Sequence, residues 1–211
     1  MKATGRTVAC IGTGPSLTLE QVDTARDKGC LLFGCNLVFR LIPDLSVLYA
    51  VNSAFWDYYW PEVRDHPCEK WTTNKQSAEK YNINWIAEKN APGLSQDPSI
   101  VHHGHGSGFT QVNLAYLMGA QRIVLLGYDL KYAPDYNGKT QDIGSTPRHY
   151  FGEYPAVMQH WPSVSVRDGV HVELLDLYRS VAKQGAVEII NCTPDSAIDC
   201  FPKMNIKDLY G

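Results

Sequence analysis

Short apolar runs alternate with helix-like segments along most of this 211-residue chain, and this alternation is the feature that most restricts its fold. The runs that we predict as strands are residues 7–11, 30–34, 46–51, 70–73, 122–126 and 187–191. The predicted helices are residues 19–28, 55–64, 110–118 and 170–184. Strands that alternate with helices form a parallel sheet covered on both faces. We therefore predict an α/β fold, a three-layer sandwich with a mainly parallel sheet.

Composition and charge fit one globular domain over residues 1–211. The chain is 44% hydrophobic and 19% charged, and its net charge of −3 gives no basic surface for nucleic acid. The first residues lack a signal-peptide core, and no apolar run approaches the roughly 20 residues that span a bilayer, so we expect a cytoplasmic protein. The six cysteines form no Cys-x-x-Cys and indicate reduced thiols. The sequence does not decide the oligomeric state, and a homo-oligomer is one of the alternatives that it leaves open.

The turn after the first predicted strand reads Gly12-Thr13-Gly14-Pro15-Ser16. We expect Gly12 and Gly14 to adopt positive φ and to let a ligand approach the backbone. Pro15 suits the first turn of a following helix capped near Thr13 or Gly14, and a helix N-terminus attracts anions. The turn is neither a Walker loop nor Gly-x-Gly-x-x-Gly. It predicts either a phosphate-binding turn or a turn that needs glycine for geometry alone.

Polar residues follow the other predicted strands. Because the carboxyl ends of parallel strands share one sheet edge, we expect these residues to converge there. Asn36 and Asn52 suit a base edge or a sugar hydroxyl, or serve as turn residues. Asp129 suits ribose hydroxyls, a metal or a base role, or caps the next turn. Ser107 and Gly108 precede a predicted helix. They either offer N–H donors to an anion, or Ser107 serves only as the cap of that helix. The converging set also includes Ser53 and residues 193–196.

Three histidines, His102, His103 and His105, stand within four residues. Such a tract can bind a metal. It lacks a nearby cysteine or carboxylate complement and has no His-x-x-x-His on a helix. We therefore predict no metal site here.

Residues 132–165 are rich in Pro, Gly, Tyr and His and show little pattern. A loop of this length is unusual in a compact domain and is typical of an active-site lid. It contains His149 and Glu153, which can act as general acid or base, and Arg148, which can hold a phosphate. The alternative is a packed aromatic loop with surface charges.

Taken in order, these motifs resemble bacterial sialyltransferases of the lipooligosaccharide type. They also resemble the related domain of the archaeal-type 6-hydroxymethyl-dihydropterin diphosphokinase, and short phage-borne proteins of this shape exist. The turn Gly12 to Leu17 is similar to Gly-Asn-Gly-Pro-Ser-Leu of the sialyltransferases. The further matching motifs are Cys35-Asn36, Asn52, Ser107-Gly108, Gly127-Tyr128-Asp129, His149-Tyr150-Phe151-Gly152 and Cys192-Thr193-Pro194-Asp195-Ser196.

The resemblance implies a modified Rossmann-like three-layer sandwich with a long lid-like insertion. It also implies a metal-independent glycosyltransferase that needs no cofactor beyond a cytidine nucleotide-sugar donor. The sugar would pass to an acceptor hydroxyl of unknown identity. The residues that it implies as nucleotide-binding are Gly12, Thr13, Gly14, Pro15, Ser16, Asn36, Asn52, Ser107, Gly108 and Asp129, with Tyr150 at the phosphate.

The chain departs from the family at three places. Thr13 replaces the asparagine of the first turn. Glu153, three residues after Tyr150, replaces the catalytic histidine, so the resemblance leaves Glu153 or His149 as the base. The family's second tyrosine region is matched loosely, by Tyr132 or Tyr136.

Two other functions stay open. One is a diphosphokinase or nucleotide-modifying enzyme on the same scaffold, which would need Mg²⁺ and for which Asp129 is the one obvious carboxylate. The other is a nucleotide-binding protein without turnover, of a phage type, which the replaced base supports.

Overall fold

A seven-stranded parallel sheet forms the middle layer of the protein. The computed structural model describes residues 3–104, 106–132, 149–152, 154–155, 166–167 and 169–209. The strands are β1 Thr7–Ile11, β2 Leu31–Cys35, β3 Val47–Tyr49, β4 Glu69–Thr72, β5 Asn84–Trp85, β6 Ala87–Lys89, β7 Ile100–His102, β8 Arg122–Leu126, β9 Val166–Arg167, β10 Val170–His171 and β11 Glu188–Asn191. The order in the sheet is β11-β8-β1-β2-β3-β4-β5, while β6 pairs with β7 and β9 with β10.

Helices cover both faces of this sheet. They are α1 Leu19–Asp27, α2 Ser53–Val63, α3 Lys75–Tyr81, α4 Ser107–Leu117 and α5 Val172–Gln184, with 3-10 helices at Asn36–Arg40 and Ile206–Asp208. Alternate residues of β1 point to opposite faces: Ala9 and Ile11 pack with α1 and α2, whereas Val8 and Cys10 pack with α4 and α5. This arrangement follows from the period of two along a strand. The predicted three-layer α/β fold with a mainly parallel sheet is confirmed.

Several predicted boundaries shift. Helix α2 begins at Ser53, because the Asn52 side chain accepts a hydrogen bond from the Ala54 amide, and it continues through Pro61. Helix α4 begins at Ser107, three residues earlier than predicted. The last short helix lies at Ile206–Asp208 rather than soon after residue 193.

The chain reverses direction beside β1. From β1 it proceeds outward to β5, and it returns to β8 on the other side of β1. In parallel α/β sheets, ligands bind beyond the carboxyl ends of the strands at such a switch point. The loops after β1 and β8 are therefore the first place to examine for a site.

Most of the predicted lid, and three of the residues singled out in it, lie outside the described residues. Of the predicted lid, the structure describes residue 132, residues 149–152 and residues 154–155. Glu153, Arg148 and Tyr136 lie outside the described part of the chain. Within the described part, no helix has the length and apolar character that crossing a bilayer requires.

Candidate functional site

The loops after β1 and β8 are packed directly against each other. The amide of Gly12 donates to the carbonyl of Leu126 at 2.8 Å, and that of Gly14 donates to the carbonyl of Gly127 at 2.9 Å. A Cβ at Gly12 would lie 2.5 Å from the Gly127 oxygen, and one at Gly14 would lie 1.8 Å from Asp129 Oδ2. Neither glycine has positive φ, so that expectation is wrong. Glycine is needed at both positions because the two loops approach so closely.

The turn does not lead directly into a helix. Helix α1 begins at Leu19 and is capped by Thr18, whose Oγ1 accepts from the Gln21 amide at 3.2 Å. The Gln21 side chain accepts in return from the Thr18 amide at 2.9 Å, which completes a capping box. The expectation that Pro15 opens this helix, with Thr13 or Gly14 near the cap, is therefore wrong.

Hydrogen bonds between Asp129 and Ser16 join the loops after β8 and β1 at the switch point. Asp129 accepts hydrogen bonds from the Ser16 amide at 3.2 Å and from the Ser16 hydroxyl at 2.9 Å. Burial raises the pKa of Asp129, and the bonds from Ser16 offset part of that rise. The Tyr128 backbone is held by Thr193 Oγ1 at 3.0 Å and Ser196 Oγ at 2.6 Å. These contacts use the polar groups after β8 and β11 to fix the loops.

Thr13 joins the first turn to residues 149 and 150, which lie inside the predicted lid. Its Oγ1 lies 3.1 Å from His149 Nδ1, and its carbonyl accepts from the Tyr150 amide at 2.7 Å. The His149 ring meets the edge of Tyr154 at a centroid distance of 5.0 Å. Residues far apart in sequence are thus brought together at the end of β1.

Tyr154 connects this group to the end of β2. Its side chain is 6% exposed, burial raises its pKa, and its hydroxyl lies close to the side chains of Thr13 and Asn36. The Ser107 hydroxyl lies 3.2 Å from Asn36 Oδ1, and it accepts from the Val51 amide at 3.2 Å. We call Thr13, Asn36, Ser107, His149 and Tyr154 the polar cluster.

The polar cluster contains three of the predicted nucleotide-binding residues and one predicted base. Gly12, Gly14, Ser16 and Asp129 form the adjoining packed loops instead. Asn52 lies at the end of β3, where its side chain caps α2 with an accepted bond of 2.9 Å.

Three further residues that were predicted to bind the nucleotide lie outside the polar cluster. Pro15 is exposed in the turn before α1. Gly108 lies in the first turn of α4, and its carbonyl accepts from the Tyr128 hydroxyl at 3.0 Å. Tyr150 is 38% exposed and packs edge-on against Phe151.

Tyr154 was missed as a site residue. It follows Glu153 in an aromatic stretch, and nothing local separates it from Tyr150 or Phe151. Its place depends on contacts with Thr13 and Asn36, which lie more than a hundred residues away in the chain. Only the tertiary fold identifies it.

The neighbouring histidines make structural contacts. His102 Nδ1 lies 3.1 Å from the Pro92 carbonyl, and His103 Nδ1 lies 3.3 Å from Glu88. His105 is outside the described residues. In the described parts of the chain, no group of three or more His, Cys, Asp or Glu side chains could hold a metal ion.

A cleft of about 550 Å³ lies between α1 and the 3-10 helix at Ile206–Asp208, and no residue of the polar cluster lines it. Several of its polar side chains bond within the protein. Gln21 Nε2 donates to the Cys192 carbonyl at 3.3 Å, and Asn191 Nδ2 donates to the Ile198 carbonyl at 3.1 Å. The polar cluster is therefore the better candidate site.

Comparison with known proteins bears on the fold. No protein-family model matches the chain, and no curated protein sequence matches it. A crystal structure of a variant of the sialyltransferase Cst-II in complex with CMP is similar, with a TM-score of 0.51 and 13% identity. The match covers 97% of this chain and 86% of that one. The chain has a sialyltransferase-like fold.

Proposed function

We propose that the protein is a glycosyltransferase-like enzyme that binds a cytidine nucleotide-sugar and transfers the sugar to an acceptor hydroxyl without a metal. The observation that carries this proposal is the polar cluster, which gathers groups from the ends of β1 and β2, the start of α4 and residues 149–154. It lies at the carboxyl edge of a sheet whose fold resembles that of a CMP-bound sialyltransferase.

The start of α4 is the proposed place for the phosphate. Ser107 is its first residue and Gly108 its second, and the first amides of a helix attract an anion. Tyr150, whose amide donates to the Thr13 carbonyl, is the second proposed contact of the phosphate. Such donors can stabilise the charge on a departing nucleotide in the absence of a metal.

Two residues remain candidates for the base. His149 is held at Nδ1 by Thr13, and a hydrogen bond at one ring nitrogen fixes the tautomer that the other presents. Glu153 takes the place of the family's histidine. Activity that is lost in Glu153→Gln and kept in His149→Ala would assign the role to Glu153, and the reverse would assign it to His149.

The arrangement of Asp129 favours this function over the diphosphokinase. Both of its carboxylate oxygens accept hydrogen bonds from Ser16, so the carboxylate that Mg²⁺ would require is engaged in joining two loops. An activity that persists in EDTA would agree with the metal-independent function, and one that EDTA abolishes would favour the diphosphokinase.

Ligand binding tests the proposal. We expect CMP to raise the Tm in the presence of EDTA, because a ligand at 100 times its Kd adds about 2.7 kcal/mol to the free energy of unfolding. Ser107→Ala should weaken CMP binding by roughly tenfold, in line with one lost hydrogen bond. Ser77→Ala is the matched control, since Ser77 is also a buried helical serine but lies on α3.

The outcomes separate the functions. A panel of nucleotides and nucleotide-sugars that leaves the Tm unchanged would contradict the proposal. Binding of the donor without its consumption, across a range of acceptors, would instead indicate the nucleotide-binding protein without turnover.

A further inference from the structure

The ring of Tyr128 lies between the glycine-rich turn and the start of α4, and no role has been assigned to this residue so far. Its side chain is 6% exposed. A Cβ on Gly12 would lie 3.2 Å from Tyr128 Cδ2, and a Cβ on Gly108 would lie 3.2 Å from Tyr128 Cε1. One buried ring therefore packs directly against the backbone of both elements, and the absence of a side chain at each glycine makes room for it.

The hydroxyl of Tyr128 joins the ring to α4. It lies 3.0 Å from the Gly108 carbonyl oxygen and 2.9 Å from Gln111 Oε1, and it can donate to either. A buried hydroxyl is costly unless it is hydrogen-bonded. The bond to the Gly108 carbonyl therefore holds the first turn of α4 against the ring.

The backbone of Tyr128 is fixed from the opposite side. Its amide donates to Thr193 Oγ1 at 3.0 Å, and its carbonyl accepts from Ser196 Oγ at 2.6 Å. Both partners are buried in the segment after β11. The side chain is thus anchored at its base by the loop after β11 and at its tip by α4, so its length sets the separation between these two parts of the site.

We propose that Tyr128 is a positioning residue for the phosphate: its ring and hydroxyl fix the first amides of α4 relative to the glycine-rich turn. This inference rests on the proposed function, in which Ser107 and Gly108 bind the phosphate. The Tyr128 hydroxyl is bonded to the helix, so it acts through Gly108 rather than on the ligand. Its removal should therefore weaken recognition of the phosphate more than recognition of the nucleoside.

The test compares CMP with cytidine in Tyr128→Phe, which removes the hydroxyl and keeps the buried ring. We expect the Kd for CMP, measured by titration calorimetry, to rise about five- to tenfold, the scale of one hydrogen bond. The Kd for cytidine should change less than twofold. A role in stability alone would lower the Tm of this variant and would leave the ratio of the two constants unchanged.

Gln111→Leu is the matched control, because it removes the other acceptor of the same hydroxyl and leaves the bond to Gly108. Gln111 is fully buried, and its Nε2 has no hydrogen-bond partner among the residues that the structure describes. An apolar side chain of similar size should therefore be tolerated there. The Kd for CMP should stay within about twofold of the wild-type value, the lower end of the effect of one hydrogen bond. A rise as large as that in Tyr128→Phe would contradict the role of the Gly108 contact.

A second variant keeps the test decisive if Tyr128→Phe does not fold. Ser196→Ala removes the hydroxyl that donates to the Tyr128 carbonyl and so loosens the base of the same side chain. It should raise the Kd for CMP about two- to fivefold and leave the Kd for cytidine nearly unchanged. When both single variants fold, the double variant should lose less binding free energy than the sum of the two, because they act on one residue.

Equal losses for CMP and cytidine, or no loss for either, would overturn the positioning role while leaving the proposed function intact, provided that the unaltered protein binds CMP. Failure of the unaltered protein to bind CMP, cytidine or any nucleotide-sugar would remove the proposed function itself. The two failures are therefore distinguishable.

Discussion

Gly14 occupies a position where no side chain fits. A Cβ there would lie 1.8 Å from an Asp129 oxygen and 2.5 Å from the Gly127 carbonyl oxygen. The carboxylate could rotate away, but the carbonyl belongs to the backbone of a loop held from several sides. The requirement concerns space rather than backbone conformation, because Gly14 does not have positive φ.

Gly14→Ala should therefore lower the free energy of unfolding by about 1–3 kcal/mol or more, the usual cost of overpacking. Urea denaturation measures the change. Gly106→Ala is the control, because its backbone is extended and the nearest atom to its added Cβ is 4.0 Å away. A loss of less than about 1 kcal/mol is expected there, and equal losses in both variants would contradict the packing argument.

The second residue-scale prediction concerns Asp129. Its folded-state pKa is raised by burial, so the folded protein binds this proton more tightly than the unfolded chain does. The ordinary pKa of an aspartate is about 4. As pH rises from there through the higher pKa of Asp129 in the folded protein, the contribution of Asp129 to the free energy of unfolding should fall. Asp129→Asn removes that contribution while keeping an acceptor for Ser16. The wild-type value minus the variant value should therefore decrease with pH.

Urea denaturation of both proteins from pH 4 to pH 7 checks this trend. Asp97→Asn provides a control of opposite sign, since hydrogen bonds from Ser99 lower the pKa of the exposed Asp97. Because this pKa is lowered from its ordinary value, the difference for Asp97 should change mainly below about pH 4 and stay nearly constant from pH 4 to pH 7. A difference for Asp129 that stays constant across the range would argue against its burial penalty.

At the scale of elements, the start of α1 separates the helix from the glycine-rich turn. Thr18 and Gln21 exchange hydrogen bonds, and the turn before them is held by β8. The cap should therefore contribute to stability without contributing to the proposed nucleotide site.

Thr18→Ala should lower the free energy of unfolding by about 1 kcal/mol, the usual effect of losing an N-cap, and should leave the Kd for CMP unchanged. Thr18→Ser, which keeps the capping oxygen, should restore most of the stability. A large loss of CMP binding in Thr18→Ala would show that the cap and the site are coupled after all.

The elements also show which sequence signals were sufficient. The strand at residues 122–126 matches β8 at both ends, because it is a nearly continuous apolar run that is buried between β11 and β1. The predicted start at residue 19 matches α1, but its cap was misplaced near Thr13 or Gly14, although Thr18-x-x-Gln21 is a capping-box pattern and a stronger local signal than Pro15. Local patterns thus predicted the main strands and helices with errors at their ends, but they did not predict α3 or the short strands β5, β6, β7, β9 and β10.

For the whole molecule, the sequence predicted the sheet edge at which the polar residues meet, because strand direction alone decides that edge. It could not predict which of them touch. Gly14 and Asp129 became part of the packing between two loops, whereas Thr13 and Asn36 joined Tyr154, a residue without a distinguishing local pattern. These outcomes depend on distances between separate loops, and a linear pattern does not contain such distances. The single nucleotide-binding domain over residues 1–211 stays a prediction.

The bond between Thr13 and His149 spans 136 positions of the chain. During synthesis, the glycine-rich turn leaves the ribosome before His149, and its partner exists only after a further 136 positions of the chain have been made. Contacts this distant in sequence also form slowly, since a large loop has to close first. A nascent chain would thus carry the glycine-rich turn long before the polar cluster could form, and the proposed binding of CMP would mark late folding.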